Sequence, residues 1–312
     1  MNQNINSSPV VADALLDNWV DRFAPNLLKP YLKLARLDRP VGLWLLLLPC
    51  WWGQLLSELA AGHSEPNIWF MLLFAIGAVV MRGAGCTWND IIDRDYDGLV
   101  KRTAMRPIPA GQVTTKQALC FAIALSVVGF LVLIQFNSFT ILIGASSLIL
   151  VGLYPFAKRF TYWPQLVLGL TFKWGALVGW AAVQGGVSFA TISLYVGCVF
   201  WTTGYDTIYA HQDKSDDSVL GLKSTALCFG AATQRWLVLF YSSAMVFWVM
   251  AAIMAGANTF VMFALSAIML QLTWQVLTLD IMDEANCLAR FKSNKVVGWI
   301  FLIGILSDML LS

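Results

Sequence analysis

Between positions 88 and 97 the chain reads Trp88-Asn89-Asp90-Ile91-Ile92-Asp93-Arg94-Asp95-Tyr96-Asp97, at the end of a long apolar run. On a helix, Asn89, Asp93 and Asp97 recur every four residues and Asp90 lies three before Asp93, so these oxygen-bearing side chains share one face. Carboxylates and an amide carbonyl are hard ligands of the kind Mg²⁺ accepts. Mg²⁺ usually takes only one or two carboxylates directly and completes its shell with water and substrate phosphate, so the face points to a phosphorylated substrate. A second acidic run, Tyr205-Asp206-Thr207-Ile208-Tyr209-Ala210-His211-Gln212-Asp213-Lys214-Ser215-Asp216-Asp217, repeats the spacing in Asp213 and Asp217. Acids at a helix end are often merely solvated, but two clusters with one spacing argue for a shared task. Cations stand close in the chain: Lys101, Arg102 and Arg106 after the first cluster, Lys158 and Arg159 farther on, and Lys214 and Lys223 around the second. As a set they would neutralise a diphosphate, arginine by bidentate contacts and lysine as a point charge. Metal and cations together stabilise such a group as it departs.

The elements that carry these residues are membrane spans. Of 312 residues 58% are hydrophobic and only 12% charged, about half the charged share of a soluble domain. A net charge of +2 gives no reason to expect a nucleic-acid partner. Nine apolar stretches are long enough to cross a bilayer as helices, over 41–60, 68–88, 116–136, 139–157, 164–184, 189–209, 235–255, 258–279 and 296–311. Residues 220–234 either extend the seventh span or form a separate turn. Lys and Arg fall in alternate connectors and are absent from 62–67, 137–138, 184–188 and 256–257, so the positive-inside rule sets the N-terminus in the cytoplasm and the C-terminus outside. Residues 1–18 lack a basic-then-apolar signal peptide. Residues 27–37 mix apolar side chains with spaced cations, as a segment lying on the membrane face does. The expectation is an all-α, polytopic protein in which 1–312 forms a single transmembrane domain, with 1–40 a cytoplasmic or interfacial N-terminal segment.

Lys173 stands about ten residues into the fifth span. An ionisable group at that depth faces a cavity or a partner, and it is a candidate for attracting an anionic acceptor, against the alternative of a structural ion pair or snorkelling. His63 and His211 form no triad; His211, between acids, is read as a supporting group. Asp280, Asp283 and Glu284 are read as surface acids. The six cysteines, Cys50, Cys86, Cys120, Cys198, Cys228 and Cys287, lack a metal-type spacing and are read as apolar core residues. Several of the fourteen tryptophans, including Trp51, Trp52, Trp69, Trp88 and Trp163, fit an interfacial belt.

Asn89-Asp90-x-x-Asp93-x-x-x-Asp97, Asp213-x-x-x-Asp217 and Tyr154-x-x-x-Lys158 together resemble the UbiA superfamily of intramembrane prenyltransferases. The likeness runs from Arg36-Leu37-Asp38-Arg39-Pro40-Val41-Gly42 to Phe291-Lys292-Ser293-Asn294. Arg102-Thr103, Arg106-Pro107-Ile108-Pro109-Ala110-Gly111, the run from Tyr205 to Asp213, and Gly221-Leu222-Lys223-Ser224-Thr225-Ala226 look like its 4-hydroxybenzoate branch, which serves ubiquinone biosynthesis. Lys173 departs from the Gly or Asn expected in many relatives. The resemblance implies a nine-helix bundle and an Mg²⁺-dependent transferase that moves a polyprenyl group from polyprenyl diphosphate to the ring of 4-hydroxybenzoate. The metal ligands implied are Asn89, Asp90, Asp93, Asp97, Asp213 and Asp217, with Asp93, Asp213 and Asp217 catalytic. Arg102, Arg106, Lys158 and Lys223 would bind diphosphate, and Arg36, Arg39, Tyr154 and Lys173 the substrates. The expected setting is a bacterial inner membrane, or the mitochondrial inner membrane of a eukaryote, with the site facing the cytoplasm and membrane lipid around the prenyl tail. A UbiA relative with a naphthoate, haem or chlorophyll-precursor acceptor is the near alternative, and an ion-coupled transporter the distant one.

Overall fold

The computed structural model describes residues 18–100 and 102–311. Residues 1–17 of the expected N-terminal segment and the cation Lys101 lie outside the described residues. All regular structure among the described residues is helical. Among the described residues, eight helical stretches are long and apolar enough to cross a membrane: Val41–Ala60, Ile68–Asp97, Thr115–Leu133, Ser138–Phe160, Pro164–Gln184, Thr225–Met254, Thr259–Leu277 and Glu284–Leu311. The expected sixth span is present as the helix Phe189–Ala210, 22 residues long. At 1.5 Å per residue it measures about 33 Å, enough for the hydrocarbon core. Its lower hydropathy comes from hydroxyls that bond back into the helix: Thr202 to the Cys198 carbonyl at 2.8 Å, Thr203 to Val199 at 2.9 Å and Thr207 to Thr203 at 2.6 Å. Their polarity is therefore satisfied without water. The protein is an integral membrane protein.

Two readings of span limits are refined. The fifth span is broken, Pro164–Phe172 being followed by Gly175–Gln184 with Lys173 and Trp174 at the break. Residues 220–234 form a short helix, Thr225–Phe229, and a 3₁₀ turn before the seventh span starts at Thr233. A Ser224 cap explains the separate start of the short helix: its Oγ accepts from the Leu227 amide at 3.3 Å.

Contacts divide the chain into two compact units, Met1–Gly42 with Val79–Gly129, and Leu43–Ala78 with Phe130–Ser312. In the first, Leu34, Ile91, Val113 and Ala118 form the core, with Tyr31, Ile108 and Phe121 packed on it. The base of the second span is thereby fixed to the chain on both of its sequence flanks. In the second unit, Gly53 and Gly179 lie against the backbones of Ala176 and Cys50, so the first span and the second half of the fifth approach more closely than any Cβ permits. Trp52, Trp201, Trp248 and Phe301 cluster with ring centroids 4.9–5.6 Å apart. Trp52 is fully buried and donates to the Gly298 carbonyl at 3.1 Å, so it belongs to the core and not to an interfacial belt. Asp308, near the end of the last span, accepts from the Asn258, Phe260 and Val261 amides and caps the eighth span from another helix. All six cysteines are free; Cys50, Cys198 and Cys287 are buried, whereas Cys120 and Cys228 are exposed, unlike the core residues expected.

Candidate active site

The second span continues as helix through Asp97, so the first acidic cluster lies on one uninterrupted helical face. Asp90, Asp93 and Asp97 are all buried, at 0%, 2% and 5% exposure, and Asn89 is half-buried. Buried carboxylates need counter-charge. Two arginines from opposite sequence directions supply it: Arg36 Nη2 lies 2.5 Å from Asp90 Oδ1, and Arg106 Nη1 lies 3.2 Å from the same oxygen and 2.7 Å from Asp97 Oδ2. Arg106 is delivered by a folded-back loop in which Thr103 Oγ1 donates to the Asp97 carbonyl at 2.9 Å and the Arg106 amide to the Thr103 carbonyl. Arg102, half-buried, starts this loop. Arg39 pairs with buried Asp38 at 2.9 Å.

This donor set fits a hard cation in chemistry. Asp90 Oδ2 is buried with no hydrogen-bond partner among the described residues, as an oxygen that serves a ligand would be. No three His, Cys, Asp or Glu side chains among the described residues converge as a closed metal cage. A cation that takes one or two carboxylates and fills its shell from water and phosphate does not need one.

In the second unit the sixth span ends at Ala210, His211–Asp213 forms a 3₁₀ turn, and a new helix, Lys214–Leu220, begins. Asp213 therefore stands at the N-terminal boundary of a helix and Asp217 within its first turn, so their four-residue spacing crosses a helix start. Both are half-buried. Negative charge is favourable there because the helix N-terminus carries partial positive charge. His211 Nε2 lies 3.0 Å from Thr233 Oγ1, and burial, with Lys214 beside it, pushes the imidazole pKa down to about 4. It is neutral at pH 7.

The same unit carries four more of the expected residues. The fourth span passes into a 3₁₀ turn containing Tyr154 and a short helix containing Lys158. The Lys223 amide donates to the Lys158 carbonyl at 2.9 Å, and Lys223 Nζ to the Phe160 carbonyl at 3.2 Å. Two lysines far apart in sequence are thus adjacent in the fold. Lys173 is fully buried; its Nζ donates to the Leu45 carbonyl at 2.5 Å and lies 4.6 Å from the Trp201 ring centroid, 5.1 Å from Phe172 and 5.4 Å from Tyr205. A carbonyl and three aromatic faces replace much of the solvation a buried ammonium loses.

A model of the UbiA prenyltransferase family matches residues 46–302. The chain belongs to that family. Among its relatives, the mitochondrial 4-hydroxybenzoate polyprenyltransferase of Bos taurus is 48% identical over 90% of this chain and 76% of its own length. The Homo sapiens protein of the same name is 47% identical, again over 90% and 76%. Against the Aedes aegypti protein so named, identity is 49% over 88% of this chain, which spans 62% of that protein. Among solved structures, a UbiA homolog from Aeropyrum pernix superposes with a TM-score of 0.73 at 26% identity, covering 86% of this chain and 98% of its own. A homolog from Archaeoglobus fulgidus, solved with GPP and Mg²⁺, shares the fold at a TM-score of 0.64 and 20% identity, over 90% and 99%.

Within this UbiA fold, the sequence reading passed over Arg82. It is the one Lys or Arg within the apolar stretch 68–88, seven residues before Asn89 and so on nearly the same face. An arginine at that depth is itself a signal of function. Asp38 was likewise overlooked; it is 1% exposed and is the acid paired with Arg39.

Proposed function

We infer that the chain transfers a polyprenyl group from polyprenyl diphosphate to the ring of 4-hydroxybenzoate, the step that commits the ring to ubiquinone biosynthesis. The observation that carries this is the buried face of Asp90, Asp93 and Asp97 compensated by Arg36 and Arg106, at the end of a membrane span in a UbiA chain. Relatives named for this reaction at 47–49% identity support the choice of acceptor.

Asn89, Asp90, Asp93 and Asp97 in the one unit, and Asp213 and Asp217 in the other, are the proposed ligands of divalent cations, and Mg²⁺ is the proposed ion. Bound there, it would lend positive charge to the leaving diphosphate. Arg102, Arg106, Lys158 and Lys223 are the proposed partners of that diphosphate, so negative charge developing on the departing oxygen meets cations the fold already holds, Arg106 by Asp90 and Asp97 and Lys223 by the Phe160 carbonyl. Loss of diphosphate leaves an allylic cation on the prenyl chain. The ring carbon ortho to the phenol attacks it, and the ring then gives up a proton, for which Asp213 is the proposed acceptor. Arg36, Arg39 and Tyr154 are the proposed ligands of the aromatic acid. Lys173, whose ammonium is engaged by Leu45 and three rings, is proposed instead to lock the break in the fifth span. The tail belongs in lipid, since each CH₂ kept from water contributes about 0.8 kcal/mol. The whole chain is proposed to act as one transmembrane domain, with the clusters on the side of the basic loops, in an energy-transducing inner membrane.

Mass spectrometry of products formed by isolated membranes from 4-hydroxybenzoate and polyprenyl diphosphates of several lengths tests this. A prenylated hydroxybenzoate whose formation requires a divalent cation is expected. Prenylation of a naphthoate in preference, or uptake of the aromatic acid with no product, would overturn it.

A further inference from the structure

Just before the first span, Arg36 has φ of 58°, the one left-handed non-glycine residue among the described residues. That conformation is unfavourable for a residue with a Cβ, so the surroundings must impose it. The groups that do so come from Arg82. Its Nη1 donates to the Arg36 carbonyl at 2.9 Å and its Nη2 to the Arg39 carbonyl at 3.3 Å, gripping both ends of the turn. Gly42 completes the seat: a Cβ there would fall 2.6 Å from Nη2, 3.1 Å from Nε and 3.2 Å from Cζ of Arg82. On the other side of the turn, the Arg36 guanidinium is aimed by two acceptors, the Lys33 carbonyl at 3.1 Å and Asp90 Oδ1 at 2.5 Å. Arg82 and Asp90 lie on one helix two turns apart, so the turn is fastened to that helix at two points: by its carbonyls above and by its side chain below.

We propose that Arg82 is a positioning residue for the first aspartate cluster: seated by Gly42, it holds the 36–39 turn so that Arg36 reaches Asp90, and so sets how tightly the cluster takes a metal diphosphate. The chemistry is specific to arginine. Two backbone carbonyls at either end of a turn need a planar fork with parallel donors, which a lysine or glutamine lacks. A span arginine bonded to two carbonyls is thereby explained as the anchor of a polar turn. The inference rests on the reading of the cluster as the metal and diphosphate site, and the test separates the two.

The purified full-length chain in nanodiscs is titrated with Mn²⁺ and inorganic pyrophosphate, with free Mn²⁺ read by electron paramagnetic resonance. No acceptor and no turnover are involved. Wild type should bind and Asp93→Asn should not; equal behaviour of the two overturns the site reading itself, whatever Arg82 does. With that baseline, Arg82→Gln and Gly42→Ala should each weaken binding by roughly tenfold, the scale of one charge-assisted hydrogen bond. Amide hydrogen exchange over residues 33–42 should rise in both variants. In an Arg36→Gln background, Arg82→Gln should add less than about twofold, because its effect runs through Arg36. Wild-type affinity in Arg82→Gln, an undiminished effect without Arg36, or unchanged exchange over 33–42 would each overturn the proposal. Should Arg82→Gln fail to fold, Gly42→Ala keeps the arginine and removes its seat, so wild-type affinity in that variant overturns the proposal equally.

Discussion

Asp90, Asp93 and Asp97 sit inside a continuous helix and are buried, with Arg36 and Arg106 brought to them from 54 residues before and 16 after Asp90. Asp213 and Asp217 have the same four-residue spacing yet straddle the start of a short helix and are half-buried. The difference is one of dielectric. Carboxylates removed from water must be matched by cations built into the fold, whereas half-exposed ones are served by water and a helix N-terminus. One cluster is therefore enclosed within its unit, and the other stands half-exposed at a helix start.

The largest effects should ignore this distinction, because both clusters are proposed to act on the same substrate. Asp93→Ala and Asp217→Ala should each reduce product formation by at least about 10²-fold, the scale on which electrostatic catalytic groups act, with the protein still present in membranes. Retained activity in only one of them would confine the chemistry to the other cluster. Stability should then separate the two regions. Arg106→Gln leaves Asp90 and Asp97 short of a buried partner and should lower unfolding free energy by about 3–5 kcal/mol, read as a shift of the thermal transition in detergent. Adding Asp90→Asn should recover part of that loss, and no recovery would mean that the pair is not what Arg106 supports. Lys173→Met should cost about 1–3 kcal/mol by orphaning the Leu45 carbonyl, and the KM for 4-hydroxybenzoate should stay unchanged. A raised KM would return Lys173 to the acceptor site. Lys223→Gln, at the half-buried cluster, should move stability by less than about 1 kcal/mol, its effect appearing in the KM for the prenyl diphosphate.

Much of this was legible in the chain before folding. Apolar length locates the spans, since a helix must cover the bilayer core, and only the 22-residue sixth helix, with its back-bonded threonines, blurs that signal. Its presence was still readable from the alternation of basic connectors. The break at Lys173 was not, because proline-free residues 165–184 read as one apolar helix. Trp52 was misread for a related reason: hydropathy does not tell a lipid-facing ring from one buried against Trp201 and Phe301.

The sequence by itself determined the membrane location, the span count, the two acidic spacings and the family likeness, because each depends on residue types at short separation. Only the tertiary structure decided which cations serve which acids. Arg36 and Arg106 meet the second span from separate stretches of chain, Arg82 on that span grips the 36–39 turn, and pairing over 46 or 54 residues is set by where a turn and a loop come to rest. It also decided that Asp90, Asp93 and Asp97 are buried while Asp213 and Asp217 are half-buried, since burial is a property of everything packed around a residue and not of its spacing.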